Sequence, residues 1–244
     1  TLTFLDGTPT LSRDITVTTN GDTVIEPDEI VTVTLSSPTP PALLIKAIGT
    51  SSFVDDDSQI SISSGVTLSE GNSGSTAFDF GLTRIGDISA AATVEFAVTG
   101  SGGNPANAAD FVGGVLPIGT ASFIAGSTTA TLNINVSGDI TVETNETFTV
   151  TLSSPSGGAT LGTSTAIGTI INDDSEISIG TDVTFDEGDS GPTSFDFDLT
   201  RTGDISGAAT VNYAVTGSGG SPANATDFTG GTLPSSNASF APGS

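Results

Sequence analysis

Carboxylates recur in this chain at a spacing that suits cation binding. Residues 137–146 read SGDITVETNE and residues 20–29 read NGDTVIEPDE, so Asp139, Glu143 and Glu146 match Asp22, Glu26 and Glu29, each 117 positions earlier. Each segment leads into a strand-like run ending Leu-Ser-Ser-Pro, then into an acidic terminus: Asp173-Asp174 in one, Asp55-Asp56-Asp57 in the other. The 244 residues hold 28 Asp+Glu against four Lys+Arg, a formal charge of −24, and the four bases (Arg13, Lys46, Arg84, Arg201) are scattered. Acids gathered without bases need a cation as counter-charge. With no His and no Cys, only oxygen ligation remains, which suits hard cations such as calcium and magnesium.

The same composition argues against other chemistries. No Ser/His or Cys/His nucleophile pair can be built, and Lys46 is the only lysine. Paired carboxylates hydrolyse glycosides, but the 13 Phe and one Tyr fall mostly at alternating core positions and leave no sugar platform. The chain therefore reads as no enzyme. Nucleic acid is excluded as a partner because phosphate binding needs clustered Lys or Arg. The Gly-rich GSGG stretches lack the Gly-Lys-Ser/Thr of a phosphate loop, and no EF-hand spacing occurs. No apolar run approaches the roughly 18 residues of a membrane span. Low lysine, abundant Thr, Ser and Gly, and strong acidity resemble secreted surface proteins, so the expected location is extracellular or at the cell surface. A start at Thr1 reads as a piece of something longer.

The elements that must position the acids come from an internal repeat. Residues 64–126 align without a gap with 181–243, pairing Glu70 with Glu187, Asp110 with Asp227 and Arg84 with Arg201. Residues 120–174 align with 1–57 apart from small loop shifts, Phe123 matching Phe4 and Glu146 matching Glu29. The complete unit is best placed at 58–174. Residues 1–57 then form the C-terminal half of one unit and 175–244 the N-terminal half of another. Apolar residues alternate with polar ones at Phe78/Phe80/Leu82, Val94/Phe96/Val98, Leu132/Ile134/Val136 and Phe148/Val150/Leu152, the period of half-buried strands. Seven strands A to G are expected at about 59–68, 76–84, 91–99, 114–124, 128–136, 146–153 and 164–171. The predicted fold class is all-β: tandem immunoglobulin-like antiparallel β-sandwich repeats of about 117 residues.

Strand direction explains why the acids meet. If successive strands reverse, the A–B, C–D and E–F turns and the exit of strand G share one end. Glu70 lies in A–B, Asp110 in C–D, and Asp139, Glu143 and Glu146 in E–F, while Asp173 and Asp174 follow G. Two unit charges about 4 Å apart repel by roughly 1 kcal/mol in water and about 4 kcal/mol at an effective dielectric of about 20. Several such pairs rival a domain's whole stability of about 5–15 kcal/mol. Calcium, with about 6–8 oxygen ligands in flexible geometry, suits a crowded protein cage better than octahedral magnesium. Away from this end, Asp87 and Asp204 are expected to shape the Arg-x-Gly-Asp turns, and Arg84 and Arg201 to make local salt bridges.

The motifs LSEGNSG (68–74), TRIGD (83–87), NAADF (107–111), SFIAG (122–126) and NDD (172–174), with the E–F acids, resemble a Calx-beta repeat. That family occurs in the regulatory loop of sodium–calcium exchangers and in tandem arrays on bacterial surface proteins. The resemblance implies Ca2+ ligation by Glu70, Asp110, Asp139, Glu143, Glu146, Asp173 and Asp174. In the half-units it implies ligation by Glu187 and Asp227 on one side and Asp22, Glu26, Glu29, Asp55, Asp56 and Asp57 on the other. With Thr144 and Asn145 inside the E–F run, one or two ions per unit are expected. The role expected is structural: a calcium-stiffened stalk of an extracellular fibre or adhesin. The rival is a calcium sensor or regulatory module. Partners are other copies of the chain or further repeats, with a cell-surface or matrix target. The split units are either a window on a longer array or halves that complete one another head to tail between chains.

Overall fold

The computed structural model describes residues 12–244; Phe4, matched to Phe123 above, lies outside them. The strands are β1 (Glu29–Thr34), β2 (Ile48–Phe53), β3 (Ser58–Ile62), β4 (Val66–Ser69), β5 (Gly74–Gly86), β6 (Ala92–Ser101), β7 (Ile118–Phe123) and β8 (Thr129–Gly138). They continue with β9 (Glu146–Ser153), β10 (Thr160–Leu161), β11 (Thr165–Ile171), β12 (Ser175–Ile179), β13 (Leu199–Gly203), β14 (Ala209–Ala214) and β15 (Ser235–Phe240). The only helical pieces among the described residues are two 3-10 turns, Ala108–Asp110 and Ala225–Asp227. The chain is all-β, as the alternation of apolar residues requires.

Residues 58–174 form the sandwich. One sheet runs β10-β3-β5-β8 and the other β4-β11-β9-β6-β7. Alternate residues turn inward, so Phe78, Phe80 and Leu82 of β5 and Leu132, Ile134 and Val136 of β8 face Val94 and Val98 of β6 and Phe148, Val150 and Leu152 of β9. The Phe148 ring lies 5.7, 6.1 and 5.2 Å from the rings of Phe78, Phe80 and Phe111. A Cβ on Gly168 would collide with that ring, so the glycine of β11 makes the space that Phe148 fills. In the half-unit the matching pair is Val31 and Ser51, a smaller core residue opposite a larger neighbour.

Strand A, expected as one strand over 59–68, is two. β3 pairs antiparallel with β5, whereas β4 crosses to the other sheet and pairs parallel with β11, Ser69 beside Ile171. The crossing falls at Gly65, where a Cβ would strike the carbonyl of Ile167. This crossing sets Glu70, just past β4, beside the acids that follow β11. The short β10 also pairs parallel, with β3, so the sandwich is not wholly antiparallel.

The chain enters this sandwich at Ser58, opposite Gly86, and leaves after Ile171, beside Ser69. These are opposite ends of a structure whose longest strand, β5, has 13 residues and so spans roughly 40 Å. Outside 58–174 only three pairings form among the described residues: β1 with β2, β12 with β13 and β14 with β15. Residues 12–21, which match β8, and 191–198, which match most of β5, form no strand. In the complete unit those two segments bond to each other, Gly74–Thr83 against Thr129–Gly138. Each half holds one member of the pair, and a strand without its ladder has no backbone partner.

Candidate metal centre

Four loops deliver the carboxylates to one end of the sandwich. The A–B turn is held by Thr76, whose hydroxyl donates to the Glu70 carbonyl (2.5 Å), and by the Glu70 N–H, which donates to Ile171 O (3.2 Å). Gly138 presses so closely on the carbonyls of Glu70 and Gly71 that a Cβ there would collide with them, which keeps the turn tight against β8. The C–D loop folds into the Ala108–Asp110 turn with a reciprocal cap: Ala109 N donates to Asn107 Oδ1 (2.9 Å) and Asn107 N to Asp110 Oδ2 (2.6 Å). The following Phe111 is buried under Phe148 and anchors Asp110.

The acids form two groups. Glu70, Asp173 and Asp174 make one, and Asp110, Glu143 and Glu146 the other; in each, one ligand atom per residue lies within 4.8 Å of the others. Oxygens this close can reach one calcium, since those on opposite sides of an ion at about 2.4 Å are about 4.8 Å apart. Asp139 is exposed and stands outside both triads. Its Oδ1 accepts from Thr141 N (2.6 Å), and these local hydrogen bonds hold its carboxyl below the ordinary value. It stays ionised and adds its charge to the field at Glu70 and Glu143.

Burial and mutual repulsion raise these carboxyls. Burial, reinforced by Glu143, Asp139, Asp174 and Asp173, pushes Glu70 up to about 7. Burial, a hydrogen bond shared with Asp110 and the charges of Asp110, Glu143 and Glu70 push Glu146 up to about 7. Glu143 is raised as well, by burial first and then by Asp110, Asp139 and Asp174. The triads therefore share one field. Asp174 is buried; its Oδ1 accepts from Asn72 Nδ2, while its Oδ2 has no hydrogen-bond partner. A buried carboxylate oxygen without a donor is unfavourable by itself and is the chemistry that a bound cation satisfies. The donor set fits calcium: hard oxygens, a net negative cage and atoms close enough to share one ion.

Sequence reasoning missed the amides that hold these loops. Asn172 Oδ1 accepts from Glu143 N (3.1 Å), its Nδ2 donates to Asp174 O (3.0 Å), and its backbone N donates to Asn145 Oδ1 (3.1 Å). Asp173 Oδ1 accepts from Gly71 N (3.0 Å). The signal was available in the repeat: Asp28 and Asp55 stand where Asn145 and Asn172 do, and Asp55 N donates to Asp28 Oδ1 at 3.1 Å in the same way. Asp55 thus occupies an organising position rather than that of a matched ligand.

The half-unit acids are divided. Asp57 is buried and raised, by burial and then by Asp55, Asp56 and Asp22, so these four lie near one another. Asp22 Oδ1 accepts from Val24 N (2.9 Å), and Glu26 and Glu29 are exposed. Glu187 and Asp227 are exposed in the other half, where Asp227 Oδ2 accepts from Asn224 N (2.8 Å). None of these residues joins a three-carboxylate group among the described residues.

At the opposite end, Asp87 and Asp204 shape their turns as expected, accepting from the backbone and hydroxyl of Ser89 and Ser206. Arg84 does not form the expected salt bridge. It shares the inward parity of Phe80 and Leu82, is buried, and donates to Ser58 Oγ (3.1 Å) and Ala90 O (2.7 Å). Arg201 does the same with Ser175 Oγ (3.0 Å) and Gly207 O (2.6 Å).

The fold and this end define a β-sandwich module with a carboxylate cage for a hard cation. The Calx-beta domain family matches residues 1–57 and 55–175, and the chain belongs to that family, whose domains bind Ca2+. Similar solved structures include the apo form of the Calx CBD1 domain, at 28% identity, covering 48% of this chain and 98% of that one, with a TM-score of 0.41. The CBD12 structure from CALX1.2 is 24% identical over 76% of this chain and 72% of that one, TM-score 0.44. The structure described as calcium binding domain CBD12 of CALX1.1 is 24% identical over 75% and 71%, TM-score 0.44. A search of curated proteins finds no match.

Proposed function

We propose that the chain is a non-catalytic structural protein in which calcium stiffens each sandwich and its junction with the next, as the stalk of an extracellular fibre or adhesin. The observation that carries this reading is the double use of Asp174. Its carboxylate belongs to the Glu70 triad, and its carbonyl accepts from Asp204 N (2.7 Å) in the B–C turn of the following repeat. Arg201 of that repeat donates to Asp204 O (2.7 Å) and, through Ser175, holds the first residue after Asp174. Val142, from the E–F loop beside Glu143, packs against Gly203. An ion at Asp174 would thus lock both the loops and the joint.

The preceding joint has the same construction. Asp57 O accepts from Asp87 N (2.7 Å), and Ile25, the counterpart of Val142, lies against Gly86. Identical joints in series make a rod. The test is thermal unfolding with calcium and with chelator, since a ligand bound only to the native state raises the midpoint. An unchanged midpoint refutes the stabilising ion. Small-angle scattering then separates stalk from sensor: an angle between repeats that stays fixed as calcium binds supports the stalk, and a calcium-dependent change of angle supports a regulatory module.

A further inference from the structure

We propose that the complete sandwich carries a lateral interface, on which strand β7 of one molecule pairs antiparallel with β7 of a second copy about a two-fold axis at Thr120. The sandwich 58–174 has two flanks, each lined by one edge strand from either sheet. On one flank the edges are β10 and β4, of two and four residues, and strand A closes it by crossing between the sheets at Gly65. On the other flank the edges are β8 and β7, of ten and six residues. Among the described residues β7 pairs with β6 alone. Short or crossing edges keep a sheet from pairing with another chain, and long open ones invite it.

The open edge presents the groups that an added strand needs. Val98 N donates to Pro117 O (2.8 Å), and bonding along an antiparallel strand alternates. The N–H and C=O groups of Ile118, Thr120 and Ser122 therefore point away from β6, and all three residues are exposed. Strand β8 is partly covered, since Val112 N donates to Asn135 O (3.1 Å), so β7 is the more open of the two. None of the usual blocks to pairing protects it. Residues 118–123 hold no charge and no proline, and their register with β6 runs without a bulge.

Charge selects a second copy as the occupant. Residues 111–138, which run from the C–D loop through β7 to the end of β8, carry no charged side chain in a chain of formal charge −24. A basic partner would be drawn to the carboxylate end instead, whereas an uncharged edge lets another acidic chain approach. The loop leading into β7 is also apolar in this repeat but not in its aligned neighbour. Val112, Val115 and Ile118 are 53%, 62% and 78% exposed, and the matching positions are Thr229, Thr232 and Ser235. Pairing about Thr120 sets Ile118 opposite Ser122 of the second copy. It leaves Glu95, which stands beside Thr120 in β6, three strand spacings from its own counterpart, roughly 14 Å. That exceeds the Debye length of about 8 Å at physiological salt. An isologous contact of this kind closes as a pair.

The chain has no cysteine, so a single introduced one reports the contact. Thr120→Cys should form an interchain disulfide under mild oxidation about tenfold faster than Thr131→Cys, because facing antiparallel residues lie about 5.5 Å apart, within disulfide reach. Thr131 is exposed on the outer face of the other sheet and serves as the control. Sedimentation velocity of the full chain at rising concentration should show monomer and dimer in equilibrium. Thr120→Glu should weaken the dimer by about tenfold, since two carboxylates then face each other across the axis, and Thr120→Lys should do the same. An equimolar mixture of these two variants should recover the dimer, which also shows that both are folded. Equal disulfide rates at the two positions, or a wild type that stays monomeric, overturns the proposal. So does a dimer that Thr120→Glu leaves intact, which places the contact on another surface, or a mixture that stays monomeric.

Discussion

Replacing Glu70 with Gln should have opposite effects with and without calcium. Glu70 is buried among Asp139, Glu143, Asp173 and Asp174, and its carboxyl is lifted from 4.5 to about 7. A folded-state value above the unfolded one means that the native state prefers the protonated form. The associated stability is fully present below about 4.5 and is lost as pH rises through about 7. A lift of this size corresponds to up to about 3 kcal/mol, or roughly 10 °C in unfolding midpoint for a sandwich of this length. Gln keeps the shape and cannot ionise. In chelator, Glu70→Gln should therefore stay within about 1 kcal/mol of wild type at pH 5 and exceed it by about 2–3 kcal/mol at pH 8. In calcium the order reverses, because wild type gains about 4.1 kcal/mol at a thousandfold excess over Kd and the variant has lost a ligand. Circular dichroism melts at the two pH values, each with calcium and with chelator, give the four comparisons. A variant less stable than wild type in chelator at pH 8 would refute the reasoning.

Three further outcomes follow from the same geometry. Because Glu70 and Glu146 are both lifted to about 7, calcium binding near pH 7 should release about one proton, and affinity should rise with pH up to about 8; calorimetry in buffers of different ionisation enthalpy reads the release directly. Phe148→Ala, which empties the space among Phe78, Phe80 and Phe111, should cost about 3–5 kcal/mol in urea unfolding. Val142→Ala should loosen the joint at Gly203 and broaden the scattering distance distribution without adding a charge to the carboxylate cage.

The strands of 58–174 were legible because their inward residues alternate without interruption and their turns are rich in Gly, Asn and Pro. The gathering of acids at one end was legible too, since it follows from strand direction alone. Sequence could not show that strand A divides, because the break depends on Gly65 approaching the carbonyl of Ile167, a contact between segments 102 residues apart. Nor could it sort the acids into two triads. Glu143 joins Asp110 because Asn172 holds its backbone N–H, and side-chain amides in loops carry no periodic signal. Arg84 could have been read correctly from parity: it continues the inward row of Phe78, Phe80 and Leu82, so its guanidinium meets a hydroxyl and a carbonyl rather than a surface acid.

Anomalous diffraction from crystals grown with calcium tests the central claim most directly. The account predicts density between Glu70, Asp173 and Asp174, in contact with the unpaired oxygen of Asp174, with or without a second peak between Asp110, Glu143 and Glu146. Ordered carboxylates at this end of the sandwich with no anomalous peak between them, at calcium in large excess, would contradict it.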